Sequence, residues 1–126
     1  MTGGCGLWYH KSISGYDISV LPEGVRLFKD FFLGFVKIHI LYHAGQEPIC
    51  GVEIVRELGR HGYRLSPGTV YPTLHRLERD GYLSMQKRVV AGKVRKYYAI
   101  TEQGRAVLEE ARGKIAELVD EVLLDR

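Results

Sequence analysis

The segment LSPGTVYPTLHRLERDGYL, residues 65–83, decides the fold, because it holds the start, the apolar side and the end of one short helix. Ser66 can cap free backbone N–H groups, and Pro67 stands at the first helical position, where a missing N–H costs nothing. An apolar stripe with helical spacing follows: Val70, Leu74 and Leu77. Gly81 is a stop signal, so the sequence predicts a helix over residues 66–80.

Two further helices are predicted before this one. Residues 28–43 are almost continuously apolar, and a run of this length favours a largely buried helix over a strand. Gly45 and Pro48 indicate its end. Residues 51–61 have the pattern of an amphipathic helix that stops at Gly62. The apolar face predicted for this second helix consists of Val52, Val55 and Leu58.

The pattern changes after the decisive helix. Residues 82–100 predict two strands joined by a loop that carries Gly92. Thr101 is a plausible N-cap for a last helix that reaches about Leu124. The apolar residues of this helix form one coiled-coil seam, which we expect to mediate dimerisation: Leu108, Ala111, Ile115, Leu118 and Val122. The predicted fold is mainly α (α+β), a winged helix-turn-helix with a two-stranded wing and a long C-terminal dimerisation helix.

We expect three parts: an N-terminal arm at 1–27, a winged-helix domain at 28–100 and a dimerisation helix at 101–126. No signal peptide or membrane-spanning run is evident, which favours a cytoplasmic location. Cys5 and Cys50 are too few for a disulfide framework or a four-cysteine zinc site. Cys50 is expected to be inert, with a redox-sensing thiolate at the helix start as the alternative.

Charge is distributed unevenly along the chain. The formal net charge is +3, but residues 56–96 carry ten Lys and Arg against three acidic residues, whereas both ends are slightly acidic. A basic middle indicates a polyanion-binding surface, although charge alone fits a merely solvated surface equally well. Because a predicted helix-turn-helix stands in the same segment, double-stranded DNA is the expected partner.

The second helix of a helix-turn-helix enters the major groove of DNA. With the apolar stripe turned inward, polar side chains of residues 66–80 are left to face outward: Thr69, Tyr71, Thr73, His75, Arg76 and Arg79. Tyr71 could instead pack under the wing, and Arg79 could pair with a neighbouring acid. The hairpin adds five cations around its tip: Lys87, Arg88, Lys93, Arg95 and Lys96. A phosphate backbone is the natural partner for such a cluster.

Residues 65–83, together with VRKYYAITEQG at 94–104, closely resemble the recognition helix and wing of PadR-like transcriptional regulators. The resemblance implies a homodimer that places two recognition helices in successive major grooves of a near-palindromic site. It also implies repressor activity, in some members relieved by a phenolic or hydrophobic effector. DNA contact is carried over to Ser66, Thr69, Tyr71, Thr73, His75, Arg76, Lys93, Arg95 and Lys96. The chain departs from the family at Cys50-Gly51-Val52, where His-Gly-Tyr is usual, and in its single C-terminal helix.

Other activities find less support in the sequence. Trp8, Phe32 and Phe35 could line an effector cavity, with simple core packing as the alternative. His39 and His43 have metal-ligand spacing on a helix but no HExxH pattern, so neither a metal nor another cofactor is predicted. No catalytic motif is present, and we predict that the chain is not an enzyme. The main alternative function is a winged helix that binds a protein partner or acts as an architectural module.

Overall fold

The computed structural model describes residues 26–126, so the arm predicted at 1–27, with Trp8 and Cys5, lies outside the described residues except at its last two positions. The elements are α1 (Arg26–Gln46), β1 (Ile49–Cys50), α2 (Gly51–Arg60), α3 (Pro67–Arg79), β2 (Leu83–Val90), β3 (Lys93–Ile100) and α4 (Glu102–Leu118), which continues as a π-helical turn at Val119–Leu123. The predicted order of three helices, a hairpin and a last helix is confirmed. None of the helices from residue 26 onward is long and apolar enough to cross a membrane.

The sheet has three antiparallel strands in the order β1-β3-β2, one more than the two that were predicted. The additional strand β1 is two residues long, and Ile49 pairs with Tyr98 of β3. A strand of two residues shows no alternation of apolar and polar positions, so no periodic pattern could have indicated it. Its pairing anchors the base of the wing to the start of α2.

Helix α1 buries one side in the core and leaves apolar residues on its other side exposed. The buried set is Phe32, Val36, Ile40, Leu41 and Ala44. Phe28, Phe31 and Tyr42 are each more than two-fifths exposed, so the prediction of a largely buried helix is correct for only one side. The helix also runs one residue past the predicted stop at Gly45, to Gln46, and ends before Pro48.

Helix α2 turns inward a face that agrees with the predicted one at Leu58 and Val55 but not at Val52. Ile54 and Leu58, one turn apart, are fully buried, together with Gly51. Val52 is 47% exposed, so its assignment to the buried face is wrong. Positions 51, 54 and 58 share one stripe at helical spacing, and Val52 lies about 100° away from Gly51 around the axis.

Glycines and a cap set the ends of the helices around the recognition segment. Gly62 and Gly81 have positive φ angles of 87° and 91°, which L-residues with side chains rarely adopt, and they end α2 and α3 as predicted. Thr101 caps α4 as predicted, because its hydroxyl accepts a hydrogen bond from the Gly104 N–H at 3.0 Å. A Cβ on Gly104 would lie 2.2 Å from the Tyr82 carbonyl oxygen, so only glycine permits this close approach of α4 to the end of α3.

Candidate nucleic-acid interface

Helix α3 presents a polar, exposed first turn. Ser66 occupies the N-cap position in an extended conformation, but its hydroxyl accepts no bond from the helix N–H groups. The Ser66 hydroxyl instead lies 3.5 Å from that of Thr69, and Ser66 is exposed. Thr69 is half-buried, so the Ser66 hydroxyl is the more accessible of the two to a ligand that approaches the start of the helix, where the helix dipole favours negative charge.

Thr73 is buried, and the prediction that it faces outward is wrong. Only 7% of the residue is exposed, and its hydroxyl donates to the Thr69 carbonyl oxygen at 2.8 Å. The buried stripe of α3 is wider than the three apolar residues suggest, because Thr73 lies between Val70 and Leu77 on the same side. Thr73 therefore supports the helix from within and cannot touch a base edge.

Tyr71 combines the two interpretations that the sequence left open. A Cβ on Gly51 would lie 2.3 Å from Cε1 of Tyr71, so the ring packs directly on the glycine at the start of α2. Tyr71 is nevertheless 36% exposed. Burial, followed by the nearby Glu78 and Tyr71, raises the pKa of the buried Tyr98 above its ordinary value.

The outer side of α3 carries free and paired cations. His75 and Arg76 are both exposed, as predicted. Arg79 pairs with Asp80 at 3.4 Å, which is the alternative that the sequence allowed for this residue. Of the two arginines, Arg76 is thus the one whose guanidinium has no acidic neighbour among the ion pairs of the described chain.

The wing holds four of its five cations directly opposite one another. In the β2–β3 register Lys87 faces Lys96, and Arg88 faces Arg95. No Asp or Glu occurs between residues 83 and 100. Like charges on opposed strand positions are destabilising, by roughly 0.2–1 kcal/mol for a pair. The hairpin therefore carries an electrostatic strain that a bound anion would relieve.

The strand register also divides these cations between the two faces of the wing. Lys87 and Lys96 share the face that leads to the buried Leu83 and Tyr98. The other face carries the remaining three cations of the hairpin: Arg88, Lys93 and Arg95. The Arg88 guanidinium lies 4.7 Å from the centre of the Tyr97 ring, which holds this charge in place. The predicted contacts Lys93, Arg95 and Lys96 thus point to both sides of the wing.

A two-residue turn closes the tip of the wing. Ala91 and Gly92 both have positive φ angles, 52° and 77°, as a hairpin turn of the mirror-image type I requires. The strands each have eight residues, so the wing extends for about 27 Å. Its outer part is exposed on both faces, including Val89 and Val94. A projection of this kind can reach along a neighbouring groove or backbone.

A second surface lies between α1, the end of α2 and α4. It is an open groove of about 550 Å³, whose apolar wall consists of Phe35, Ile38, Tyr42, Leu108 and Ile115. Phe35 of the effector prediction lines this groove, whereas Phe32 is only 8% exposed and packs against Tyr63 in the core. Of the three residues predicted to contact an effector, Phe35 is therefore the one that lines this groove among the described residues.

The polar wall of the same groove brings three histidines together. His39 and His43, noted in the sequence for their spacing, are joined by His61 from the end of α2. No local signal indicates His61 as a partner of His43, because the two are eighteen positions apart in the chain and only the packing of α2 on α1 makes them neighbours. Cys50 is buried, and it is a free thiol.

The predicted dimerisation seam is progressively exposed along α4. Leu108 and Ala111 are half-buried against the rest of the chain. Ile115, Leu118 and Val122 are 36%, 48% and 66% exposed. Within residues 26–126, exposure of the seam therefore increases towards its C-terminal end, where Leu118 and Val122 are open to a partner.

Together the helix-turn-helix, the basic wing and the long last helix define a winged-helix DNA-binding protein. The chain matches the model of the transcriptional regulator PadR-like family over residues 40–110, and it belongs to this family. PadR-like proteins are transcriptional regulators that bind DNA, and they are not enzymes, so both predictions are confirmed.

Individual relatives agree with this assignment. The chain is 50% identical to the transcriptional regulator Rv3488 of Mycobacterium tuberculosis over 95 residues, which are 75% of this chain and 89% of the relative. Its fold is similar to that of a PadR-like transcription factor from Bacteroides fragilis, with a TM-score of 0.69, 27% identity and coverage of 80% and 99% of the two chains. A PadR-like regulator from Bacillus cereus gives a TM-score of 0.61 at 33% identity, with coverage of 71% and 92%.

Proposed function

We propose that the protein is a cytoplasmic, sequence-specific repressor that binds a near-palindromic site in double-stranded DNA as a homodimer. Helix α3 lies in the major groove, and the outer part of the wing, residues 86–96, lies on the adjacent backbone. The observation that carries the proposal is the two pairs of opposed like charges, Lys87 with Lys96 and Arg88 with Arg95, on a hairpin without acidic residues. Phosphates would neutralise these charges, and the release of condensed counterions favours such binding.

The exposed side of α3 recognises the DNA sequence. Arg76 has the reach and the planar fork to hold a guanine edge with two hydrogen bonds. Ser66 and Thr69 offer hydroxyls at the N-terminal turn, which fits a phosphate. Tyr71 and His75 complete the proposed contact surface. Thr73 is left out of it, because it is buried.

A second copy of the same chain is the proposed partner of the exposed apolar surfaces. The distal seam of α4 is exposed, and so are Phe28 and Phe31 of α1, and exposed apolar residues of this size often mark a protein interface. Dimers with twofold symmetry place their recognition helices about 34–36 Å apart, one turn of DNA. Symmetry of the operator would then follow from symmetry of the protein.

We also propose a hydrophobic effector that occupies the apolar wall of the groove at Phe35, and whose binding weakens DNA affinity. The support is the volume of about 550 Å³ and its predominantly apolar lining. The positive charge of the wing does not support the alternative, a protein-binding or architectural winged helix, because a protein partner needs no such excess of positive charge.

Selection of bound duplexes from a random pool tests the proposed function. We expect an inverted repeat with half-site centres about 10–10.5 base pairs, or a multiple of this, apart. Recovery of duplexes without any shared sequence would contradict sequence-specific binding. Gel-shift affinity for the recovered duplex, measured with a panel of lipophilic aromatic compounds, tests the effector separately, and an affinity that no compound changes would contradict it.

A further inference from the structure

The three histidines of the groove come from two helices and form a compact cluster. His39 and His43 lie one turn apart on α1, with their rings parallel within 12° and their centres 6.4 Å apart. The centre of the His61 ring lies 4.8 Å from that of His39. One ring nitrogen from each histidine can be chosen so that all three lie within 4.8 Å of one another.

The fold holds His61 at this position through the end of α2. His61 is the C-cap residue, and its N–H bonds to the Leu58 carbonyl oxygen at 3.0 Å. Gly62 then turns the chain with a positive φ of 87°, and the Tyr63 N–H returns to the Leu58 oxygen at 3.1 Å. Tyr63 is buried, and its ring lies 5.8 Å from that of His39. Leu58 and Tyr63, which flank His61 in the chain, are thus both held in the core.

The electrostatic setting favours the neutral form of His39. Burial, and then the neighbouring His61 and His43, lower the pKa of His39, while Glu57 acts in the opposite direction. Neutral imidazole is the form that carries a free lone pair for a metal. The two arginines that line the groove are paired: Arg60 with Glu57 and Arg112 with Glu109. Their positive charges are therefore partly compensated next to the histidines.

We propose that His39, His43 and His61 bind one divalent transition-metal ion of the zinc class. Imidazole nitrogen suits zinc, nickel and copper, whereas magnesium and calcium prefer oxygen ligands. Zinc–nitrogen bonds of about 2.0–2.1 Å in a tetrahedron place the nitrogens about 3.4 Å apart, so nitrogens that now lie within 4.8 Å of one another need to approach by about 1.4 Å at most. Three histidines leave a fourth position for water or for a ligand in the groove. The site lies apart from the DNA-contact surface, and it goes beyond the proposed function.

Zinc titration of the full, tag-free chain by isothermal calorimetry at pH 7.5 tests this site. We expect one ion per chain. His61→Asn is the informative variant, because His61 is exposed at a helix end, where asparagine is well tolerated. Loss of supporting partners around a metal typically costs 10–100-fold in affinity, so loss of a direct ligand should weaken zinc binding by about 100-fold or more. His75→Asn removes an exposed histidine from α3 and should leave zinc affinity unchanged.

Thermal unfolding provides the second measurement. Saturating zinc should raise the Tm of the wild type, because the ion binds only the folded arrangement of α1 and the end of α2. The same zinc should leave the Tm of His61→Asn unchanged, while the metal-free Tm values of the two proteins stay close together. A wild type that takes up no zinc, or a His61→Asn variant that binds zinc as tightly as the wild type, would overturn the proposal.

Discussion

Two surfaces of this molecule are built in contrasting ways. The basic face, which consists of the exposed side of α3 and the wing at residues 83–100, comes from one continuous stretch of chain. The groove between α1, the end of α2 and α4 joins residues from Phe35 to Ile115. The basic face is polar and carries uncompensated charge, whereas the groove is apolar with paired arginines. A local surface can be recognised from sequence, and a surface assembled over long distances becomes visible only in the fold.

The largest expected effect is loss of the dimer after a change in the exposed apolar seam of α4. Leu118→Glu places a charge on the exposed seam of α4, and we expect a monomer by analytical ultracentrifugation. Because two linked binding events then become one, affinity for an inverted repeat should fall by about 10²–10⁴-fold. Ala116→Glu, which adds the same carboxylate far around the helix from Leu118, is the matched control and should remain dimeric. A Leu118→Glu protein that stays dimeric would contradict the proposed interface.

Charge reversal of the wing should have the next largest effect. The triple variant Lys93→Glu, Arg95→Glu and Lys96→Glu should lose about 100-fold or more in affinity for specific and scrambled duplexes alike, because phosphate contacts carry no sequence information. Fluorescence anisotropy with both duplexes at one salt concentration measures this. Lys114→Glu, a single reversal at an exposed cation of α4, should change affinity little. Unchanged binding by the triple variant would remove the wing from the DNA interface.

Arg76 and Thr73 separate the exposed from the buried side of α3. Arg76→Ala should weaken binding to the selected duplex by roughly 1–3 kcal/mol and leave scrambled DNA nearly unaffected. Thr73→Val removes only a hydroxyl that bonds within the helix, so affinity and specificity should both persist. The measurement is the ratio of the two dissociation constants for each variant. Loss of specificity in Thr73→Val but not in Arg76→Ala would contradict the assignment of Arg76 to the DNA-facing side of α3 and of Thr73 to its buried side.

The smallest expected effect concerns the tip of the wing. Ala91 has a positive φ of 52°, a conformation that costs an alanine roughly 1–2 kcal/mol. Ala91→Gly should therefore raise the free energy of unfolding by about 0.5–1 kcal/mol, and a chemical denaturation curve checks this. Gly92→Ala, the matched change at the other turn residue, should lower it. A more stable Gly92→Ala would mean that the turn is built differently.

The elements that could be predicted from sequence are those that depend on neighbouring residues. The Ser66-Pro67 start of α3, the stops at Gly62 and Gly81 and the Thr101 cap each depend on contacts within a few positions. Backbone conformation and capping chemistry follow directly from residue type at such places. The basic face consists of one continuous stretch of chain, and its helix and its hairpin could both be predicted for this reason.

The errors occurred where packing between distant segments decides the outcome. Thr73 is buried because α3 packs along a wider stripe than its apolar residues indicate. Val52 is exposed because Ile54, and not Val52, meets the core. Strand β1 exists only through its pairing with β3, and His61 reaches His39 only through the packing of α2 on α1. None of these relations has a periodic signal in the sequence.

The salt dependence of binding to the selected duplex tests the central claim most directly, because it counts the phosphates that the basic face neutralises. Each phosphate contact contributes about −0.9 to the slope of log affinity against log salt. A dimer with two wings should make six or more such contacts, which predicts a slope of about −5 or steeper. A slope shallower than about −1, equal for the wild type and the wing triple variant, would contradict the account.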